Sequence, residues 1–341
     1  MKLWRIGLPG LVLGVLATVA LVTQLDLEQL AASLQGARHG WLVPAFLLLL
    51  AGQGVRALRW RALLHDSLPV TRAFNILNIS YLANAFLPLR LGELARLWLV
   101  RPRIPSLQAA GSVLLERMLD SLAVLLLLSA AISVIPGAGA PYREAARLMF
   151  PTLLLLAAML YLLAQRRSLS RRLMRAFLCL PVPALVRRLP LAAWLEALLD
   201  GLQPLTQPAL LLRALALTTL AWLLSLLASC VLIMMFYEQS SLAAAALGLA
   251  AAALVIALPA VPGNIGTYQW AIMLSLAAAG YGKPTDVANA SLGIVIHAIN
   301  LFMYILTGSL GLALERVTPA SLIRSLASYR IRQEQPDLDR E

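Results

Sequence analysis

Charged side chains are scarce in this sequence, making up 13% of its 341 residues, whereas 60% are hydrophobic. Soluble domains carry about 25% charged and roughly 45–50% apolar residues, so the composition excludes an ordinary soluble fold and intrinsic disorder. The apolar residues form long unbroken runs, unlike the alternating segments of about ten residues that are typical of membrane β-barrels. The sequence therefore predicts an all-α polytopic membrane protein.

Lysine, cysteine and nucleotide-binding motifs are also rare or missing. Only Lys2 and Lys283 among the 28 basic residues are lysines, and Cys179 and Cys230 are too isolated to form a disulfide framework or a metal site. The sequence has no P-loop, and no Ser or Cys with a His/Asp partner at readable spacing, which argues against an ATPase and nucleophilic catalysis. We therefore expect no metal and no cofactor, and favour a transporter over an enzyme.

Six stretches have the ~20 apolar residues that cross a hydrocarbon core of roughly 30 Å. They are residues 6–25, 40–64, 107–135, 146–165, 210–236 and 285–313. Most basic residues lie between these stretches, where they determine topology, so the net charge of +12 does not indicate nucleic acid binding. This pattern puts the basic loop 166–208, the polar tail 316–341 and both termini in the cytoplasm. Residues 1–315 are expected to form one domain of the cytoplasmic (inner) membrane.

Two further segments do not fit simple spans. Residues 74–100 contain an apolar arm at 74–87 that is about 21 Å long as a helix and ends at Pro88. Residues 239–282 contain no charged side chain and are interrupted at 259–269 by Pro and Gly. We interpret both as re-entrant helical hairpins, although the second segment is also compatible with two short full spans.

These hairpins lie between spans in the same order in both halves of the chain. Residues 40–135 run span, hairpin, span from outside, and residues 210–313 repeat this order from inside. Inverted repeats with broken helices are typical of secondary transporters. The predicted architecture is therefore about six full spans plus two re-entrant hairpins in an inverted repeat.

Four strings are similar to a known family. RALRW at 56–60, NAFLPLRLGELAR at 84–96, ERMLD at 116–120 and PAVPGNIGTYQ at 259–269 resemble the transmembrane domain of lysylphosphatidylglycerol synthases and its stand-alone, flippase-like relatives. The resemblance implies a domain that moves a lipid between leaflets, without the soluble domain that makes the lipid. Gln269 stands where the family often has a carboxylate, which calls a proton-coupled or cation-binding role at this position into question.

The charged residues of the first hairpin and the following span are the first candidates for a headgroup site. One interpretation is a groove in which arginine binds lipid phosphate bidentately and the carboxylates balance it. The other is that these residues pair with one another and fix the hairpin. They are Arg90, Glu93, Arg96, Glu116, Arg117 and Asp120, of which Arg90 is the preferred phosphate ligand because it follows Pro88 directly.

The end of the second span and the second break supply the other candidates. Arg56, Arg59, Trp60 and Arg61 have the pattern of interfacial anchors, with a headgroup vestibule as the alternative. The break leaves backbone amides at the start of a half-helix, where they can bind an anion, with a plain glycine turn as the alternative. The residues of the break are Pro262, Gly263, Asn264, Gly266 and Gln269.

These observations support two functions. The first is a lipid translocase that moves a phosphate-bearing membrane lipid between leaflets. The second is a membrane enzyme or accessory subunit in envelope glycolipid or hopanoid assembly, with Glu93, Glu116 and Asp120 as acid–base candidates. A second copy of this chain or a lipid-synthesis enzyme are the candidate protein partners.

Overall fold

The computed structural model describes residues 2–87, 91–135, 140–179, 191–257 and 262–324, and these are helical apart from short connections. The helices are α1 (Lys2–Gln24), α2 (Leu27–Gly36), α3 (Leu42–Leu63), α4 (Val70–Phe86), α5 (Leu91–Val100), α6 (Ser106–Val134), α7 (Ala140–Gln165), α8 (Arg167–Cys179), α9 (Leu191–Gly201), α10 (Pro208–Ile233), α11 (Leu242–Ala257), α12 (Thr267–Ala278) and α13 (Val287–Leu314). An all-helical fold is therefore confirmed for the described residues.

Four of the six predicted spans coincide with helices that are long and apolar enough to cross a membrane. These are His39–Leu63, Ser106–Val134, Pro208–Ile233 and Val287–Leu314. A fifth is possible if Gly14–Gln24 and Leu27–Gly36, which meet at 84°, form one broken span. In α7 the apolar part, Leu154–Gln165, is only about 18 Å long. The predicted spans at 6–25 and 146–165 are helical, and their crossing stays a prediction.

The first predicted hairpin is present as two helices that fold back on each other. Two hydrogen bonds join α4 to α5. Nη2 of Arg72 donates to the Leu99 carbonyl (3.4 Å), and the Gly92 amide donates to Asn84 Oδ1 (2.9 Å). α4 begins after Pro69 and has 17 residues, so this arm starts earlier than the predicted residue 74. α5 has 10 residues, about 15 Å, too short to cross a membrane by itself.

The second predicted helix break is also present. α11 ends before the break, a single 3₁₀ turn covers Pro262–Asn264, and α12 starts at Thr267. Gly263 (φ 72°) and Gly266 (φ 82°) adopt left-handed backbone conformations that disfavour residues with a Cβ. α1 packs on this break, where the Trp270 indole donates to the Ala17 carbonyl at 3.0 Å. The sequence did not indicate that contact.

The long helices pack in a reciprocal arrangement. α3 lies along α10, α4 along α13, and α6 along α11. The hairpin α4–α5 lies between α3 and α6, and the hairpin α11–α12 lies between α10 and α13. The hydrophobic core includes a cluster contributed by α3, α10, α11, α12 and α13.

The described part of the predicted basic loop includes α8 and α9, which are joined by ion pairs. Arg167 Nη2 lies 2.9 Å from Asp200, and Arg171 Nε lies 2.6 Å from Glu196. The hydrogen bond from Arg171 lowers the pKa of the Glu196 carboxyl. These pairs are solvent-exposed, so each contributes little to stability.

Candidate functional site

A cavity of about 810 Å³ lies between the two halves of the helical bundle. Its polar wall comes from α3, α4, α5, α6, α10 and α13. Its apolar wall comes largely from the hairpin α11–α12, including Ala244, Gly248, Ala252 and Ile272. A cavity that is polar on one side and apolar on the other matches the two parts of a lipid, a polar headgroup and its hydrocarbon chains.

A buried ion-pair cluster stands behind the polar wall. Arg59 donates to Asp120 with both terminal nitrogens, Nη1 (2.6 Å) and Nη2 (3.1 Å), and its Nη2 lies 3.2 Å from Glu116 Oε1. Arg96 Nη2 donates to the other Glu116 oxygen at 2.7 Å. Arg59, Arg96 and Glu116 are fully buried. Because burying a charge is costly unless it is paired, these contacts are what allows the cluster to exist inside the protein.

The interpretation of Arg59 and Trp60 as interfacial anchors is wrong. Both side chains have zero exposure, whereas an anchor has to reach the membrane surface. The Trp60 indole donates to Ser112 Oγ (3.3 Å), and the Arg96 guanidinium lies 4.2 Å from the centre of its ring. Trp60 therefore fixes Arg96 beside Glu116, a cation–π contact in addition to the ion pair.

The remaining predicted charges reach the cavity itself. Glu93, Arg117 and Asp120 line it, and Glu93 pairs with Arg117 at 3.3 Å. Asp120 also accepts from the Trp222 indole (3.1 Å). Five of the six candidates from the first hairpin and the following span are thus members of one paired network. The sixth, Arg90, lies outside the described residues, so its role as phosphate ligand stays a prediction.

Arg56 differs from the other arginines of the site. It lines the cavity, donates to Ser225 Oγ (2.9 Å), and its guanidinium carbon lies 6.0 Å from the centre of the Trp222 ring. Of the described carboxylates, none forms an ion pair with it within 4 Å, although its neighbour Arg59 forms two. The described charges of the site are four guanidiniums (Arg56, Arg59, Arg96, Arg117) and three carboxylates (Glu93, Glu116, Asp120), which leaves one positive charge.

The second break contributes to the cavity in part. Gly263 and Asn264 line it, whereas Gly266 and Gln269 do not. Gln269 Oε1 accepts from the Gly266 amide (2.8 Å), so this donor is not free to bind an anion. The side-chain nitrogen Nε2 of Gln269 lies 2.8 Å from Nδ1 of His297, and His297 does line the cavity. The Pro262 side chain lies outside the described residues.

Sequence reasoning missed several polar residues of the wall. Gln53, Tyr81, Asn84, Trp222 and Ser225 all line the cavity. The available signal was a polar side chain inside an apolar run, as for Gln53 in 40–64 and Ser225 in 210–236, because such residues normally face the bundle interior. Which of them share one cavity depends on helix packing that the sequence pattern does not contain.

Comparison with known proteins identifies the family of the chain. A family sequence model described as the lysylphosphatidylglycerol synthase TM region matches residues 8–308 of the chain. Neither a curated protein nor a solved structure matches the chain significantly. The match covers α1 to most of α13, including all cavity-lining helices, and agrees with the resemblance carried by the motifs at 56–60, 84–96, 116–120 and 259–269. The chain therefore belongs to the lysylphosphatidylglycerol synthase transmembrane-region family, whose name indicates a membrane lipid-related function.

Proposed function

We propose that this protein is a lipid translocase that moves a phosphate-bearing lipid between the leaflets of the cytoplasmic membrane. The observation that carries the proposal is Arg56, a guanidinium that lines a mostly apolar cavity and has no carboxylate partner among the described residues. The planar guanidinium of an arginine can bind a phosphate with two hydrogen bonds. It binds anions more strongly inside a protein, where the dielectric constant is low, than in water. The apolar wall would accommodate the first part of the lipid chains.

The depth of Arg56 supports transport over surface binding. α3 ends at Leu63, so Arg56 lies about 10 Å inside that end of the helix. Ionisable residues at such depth normally face a bundle interior or a watery path, where they mark ion or substrate routes. The arginine distribution between the spans supports a cytoplasmic location for this end and for both termini.

The reciprocal packing supports an inverted repeat. If α3–α6 are exchanged with α10–α13, the contact α4–α13 becomes α11–α6, and the contact α3–α10 maps onto itself. All three contacts occur in the structure. We propose that these two units are inverted repeats and that their short hairpins are re-entrant. Transporters of this architecture bind substrate near the bilayer midplane, between the repeats, and we propose this position for the cavity.

Lipid movement in proteoliposomes tests the proposal. Purified protein should accelerate the transfer of a fluorescently labelled anionic phospholipid from the inner to the outer leaflet, measured as loss of fluorescence to an impermeant quencher. Arg56→Gln should slow this transfer about ten-fold, because a charge-assisted hydrogen bond contributes roughly 1.5–3 kcal/mol. Arg101→Gln, which removes an exposed arginine outside the cavity, is the control. Equal rates in protein-free and wild-type liposomes for every labelled lipid class would refute transport.

The alternative function, an enzyme or accessory subunit of envelope-lipid assembly, has less support from the site. Its acid–base candidates Glu93, Glu116 and Asp120 are all ion-paired with arginine. Lipid extracts of a deletion strain separate the two functions. An enzyme leaves a product missing, whereas a translocase leaves the lipid present on the wrong leaflet.

A further inference from the structure

One face of α8 is exposed in the described part of the chain. α8 packs against α7 and α9, and Arg167 and Arg171 meet α9 through the ion pairs described above. Leu169, Arg172 and Ala176 lie at positions i, i+3 and i+7, which share the side of a helix roughly opposite to the ion-paired one. All three are exposed, Leu169 by 44%. This face is therefore available to a partner outside the described helices.

Two arginines without a described carboxylate partner border the exposed leucine. Arg166 and Arg172 lie three positions before and after Leu169, and both are exposed. Neither forms an ion pair within 4 Å with a described carboxylate. The described charges of this region are Arg166, Arg167, Arg171 and Arg172 against Glu196 and Asp200, which leaves two positive charges. The exposed face thus combines an apolar side chain with an excess of positive charge.

The chain bends sharply where α7 meets α8. Ser170 Oγ donates to the Leu163 carbonyl at 2.8 Å, although residues seven positions apart in a continuous helix are separated by about 10.5 Å along its axis. α8 therefore turns back beside the end of α7 and does not extend it. A helix that turns off the end of a span in this way can lie along the membrane surface, whereas a continuous helix would project away from it.

The exposed apolar side of α7 leads directly to this surface. Leu155, Met159 and Leu162 lie at i, i+4 and i+7 and are 73%, 49% and 51% exposed. With α7 in the membrane, as the sequence predicts, these side chains contact hydrocarbon. Leu169 follows after the bend, and Trp194 of the neighbouring α9 is 40% exposed. Tryptophan is enriched at the boundary between hydrocarbon and water, which is where α8 and α9 would then lie.

These features fit the headgroup region of a bilayer. A helix in that region buries its apolar side chains at the start of the acyl chains and directs its arginines to the lipid phosphates. An excess of positive charge favours a leaflet that contains anionic lipids over a zwitterionic one. The response of α8 to a membrane should therefore depend on the charge of the lipids.

We propose that the exposed face of α8 docks on an anionic membrane surface. Leu169 and Ala176 enter the boundary with the acyl chains, and Arg166 and Arg172 bind phosphate groups of the surrounding lipids. These lipids are distinct from the lipid assigned to the central cavity. The docking also does not depend on lipid movement, so it goes beyond the proposed function.

The test is spin labelling of the full-length protein in nanodiscs. Ala176→Cys carries the nitroxide, in a background in which Cys179 and Cys230 are replaced by serine. The discs contain either phosphatidylcholine alone or equal parts of phosphatidylcholine and phosphatidylglycerol. Collisions of the nitroxide are measured with oxygen, which dissolves in the bilayer, and with a neutral nickel chelate, which stays in water.

The nitroxide should collide mainly with the nickel chelate in the zwitterionic discs and mainly with oxygen in the anionic discs. Each unpaired arginine should favour docking on the anionic surface about five-fold. High salt should reverse the change, because it screens charges at the membrane surface.

A pair of double variants separates the α8 surface from basic charge in general. Arg166→Gln/Arg172→Gln should keep the nitroxide in water in both kinds of disc. Arg101→Gln/Arg103→Gln removes two exposed arginines from the connection between α5 and α6, and it should respond like wild type. Both double variants should unfold at the temperature of wild type, since all four side chains lie at exposed positions.

Three results would overturn the proposal. A nitroxide that stays in water in both kinds of disc indicates a solvated helix. Equal insertion in both, or an unchanged response in Arg166→Gln/Arg172→Gln, indicates that anionic lipid is not what α8 recognises. Shielding from both reagents indicates that protein covers this face. If docking depends on lipid charge while proteoliposomes show no lipid movement, the docking inference stands and the translocase proposal fails.

Discussion

Arg56 and Arg59 lie on the same helix, three positions apart, and have opposite environments. Arg59 is fully buried and bound to two carboxylates, whereas Arg56 lines a cavity and donates to a serine. Arg59 therefore contributes to folding, whereas Arg56 is available to a ligand. Substitutions at these two positions should therefore affect different measurements.

Arg59→Lys should destabilise the protein by on the order of 2 kcal/mol. Lysine keeps the charge but cannot form the bidentate contact with Asp120. Carboxylate oxygens of the buried network would therefore be left incompletely paired. The measurement is the midpoint of thermal unfolding in detergent. Arg101→Lys at an exposed position is the matched control, and equal midpoints for both variants would contradict the structural role of Arg59.

Arg90→Lys tests a residue that the sequence alone singles out. If Arg90 binds phosphate next to the break after Pro88, lysine should slow lipid movement because it offers only a point charge. Expression and unfolding temperature should stay close to those of wild type. Transport at the wild-type rate would remove Arg90 from the headgroup site.

At the scale of helices, the hairpin α4–α5 depends on the absence of a side chain at one position. The Gly92 Cα packs against α4 so closely that a Cβ would overlap the Ser80 carbonyl oxygen and lie 2.6 Å from Asn84 Oδ1. The same Asn84 oxygen accepts the Gly92 amide. This contact holds α5 against α6, and with it Glu93 beside Arg117 and Arg96 beside Glu116.

Gly92→Ala should separate the two arms of the hairpin and destabilise the protein by about 2 kcal/mol, within the 1–3 kcal/mol typical of overpacking. Gly54→Ala is the control, since no atom lies within 4 Å of a Cβ at Gly54 and alanine favours a helix more than glycine does. Thermal unfolding should therefore show a lowered midpoint for Gly92→Ala only. A lowered midpoint for both would point to general intolerance of the membrane helices.

The sequence predicts the helices better than their partners. Apolar length and the Pro/Gly pattern are local properties, which is why the long helices and the break at 259–269 could be anticipated. The contacts of the site are not local, since Arg59 and Asp120 are 61 positions apart and Arg56 and Ser225 are 169 apart. From the sequence, Arg59 could only be recognised as a basic residue near the end of a span. It becomes a buried ion-pair partner because α3 packs between α6 and α10.

At the scale of the whole molecule, the predicted orientation gives opposite accessibility to two exposed loops. In a background in which Cys179 and Cys230 are replaced, Lys283→Cys should react with an impermeant maleimide in intact cells. Arg101→Cys should react only after the membrane is permeabilised. The reverse pattern would invert the topology, and with it the side on which the polar wall of the cavity opens.

Among the described charges of the site, the excess of one guanidinium over the carboxylates has an electrical consequence. In the proposed translocase, a lipid with one negative phosphate balances these described charges, so the loaded site carries none of that excess through the membrane voltage. The empty site keeps one positive charge, for which full displacement through 100 mV changes the energy by about 2.3 kcal/mol. Voltage would then act on the return of the empty protein and leave the loaded step unaffected, which makes the empty step the one that an imposed potential speeds or slows.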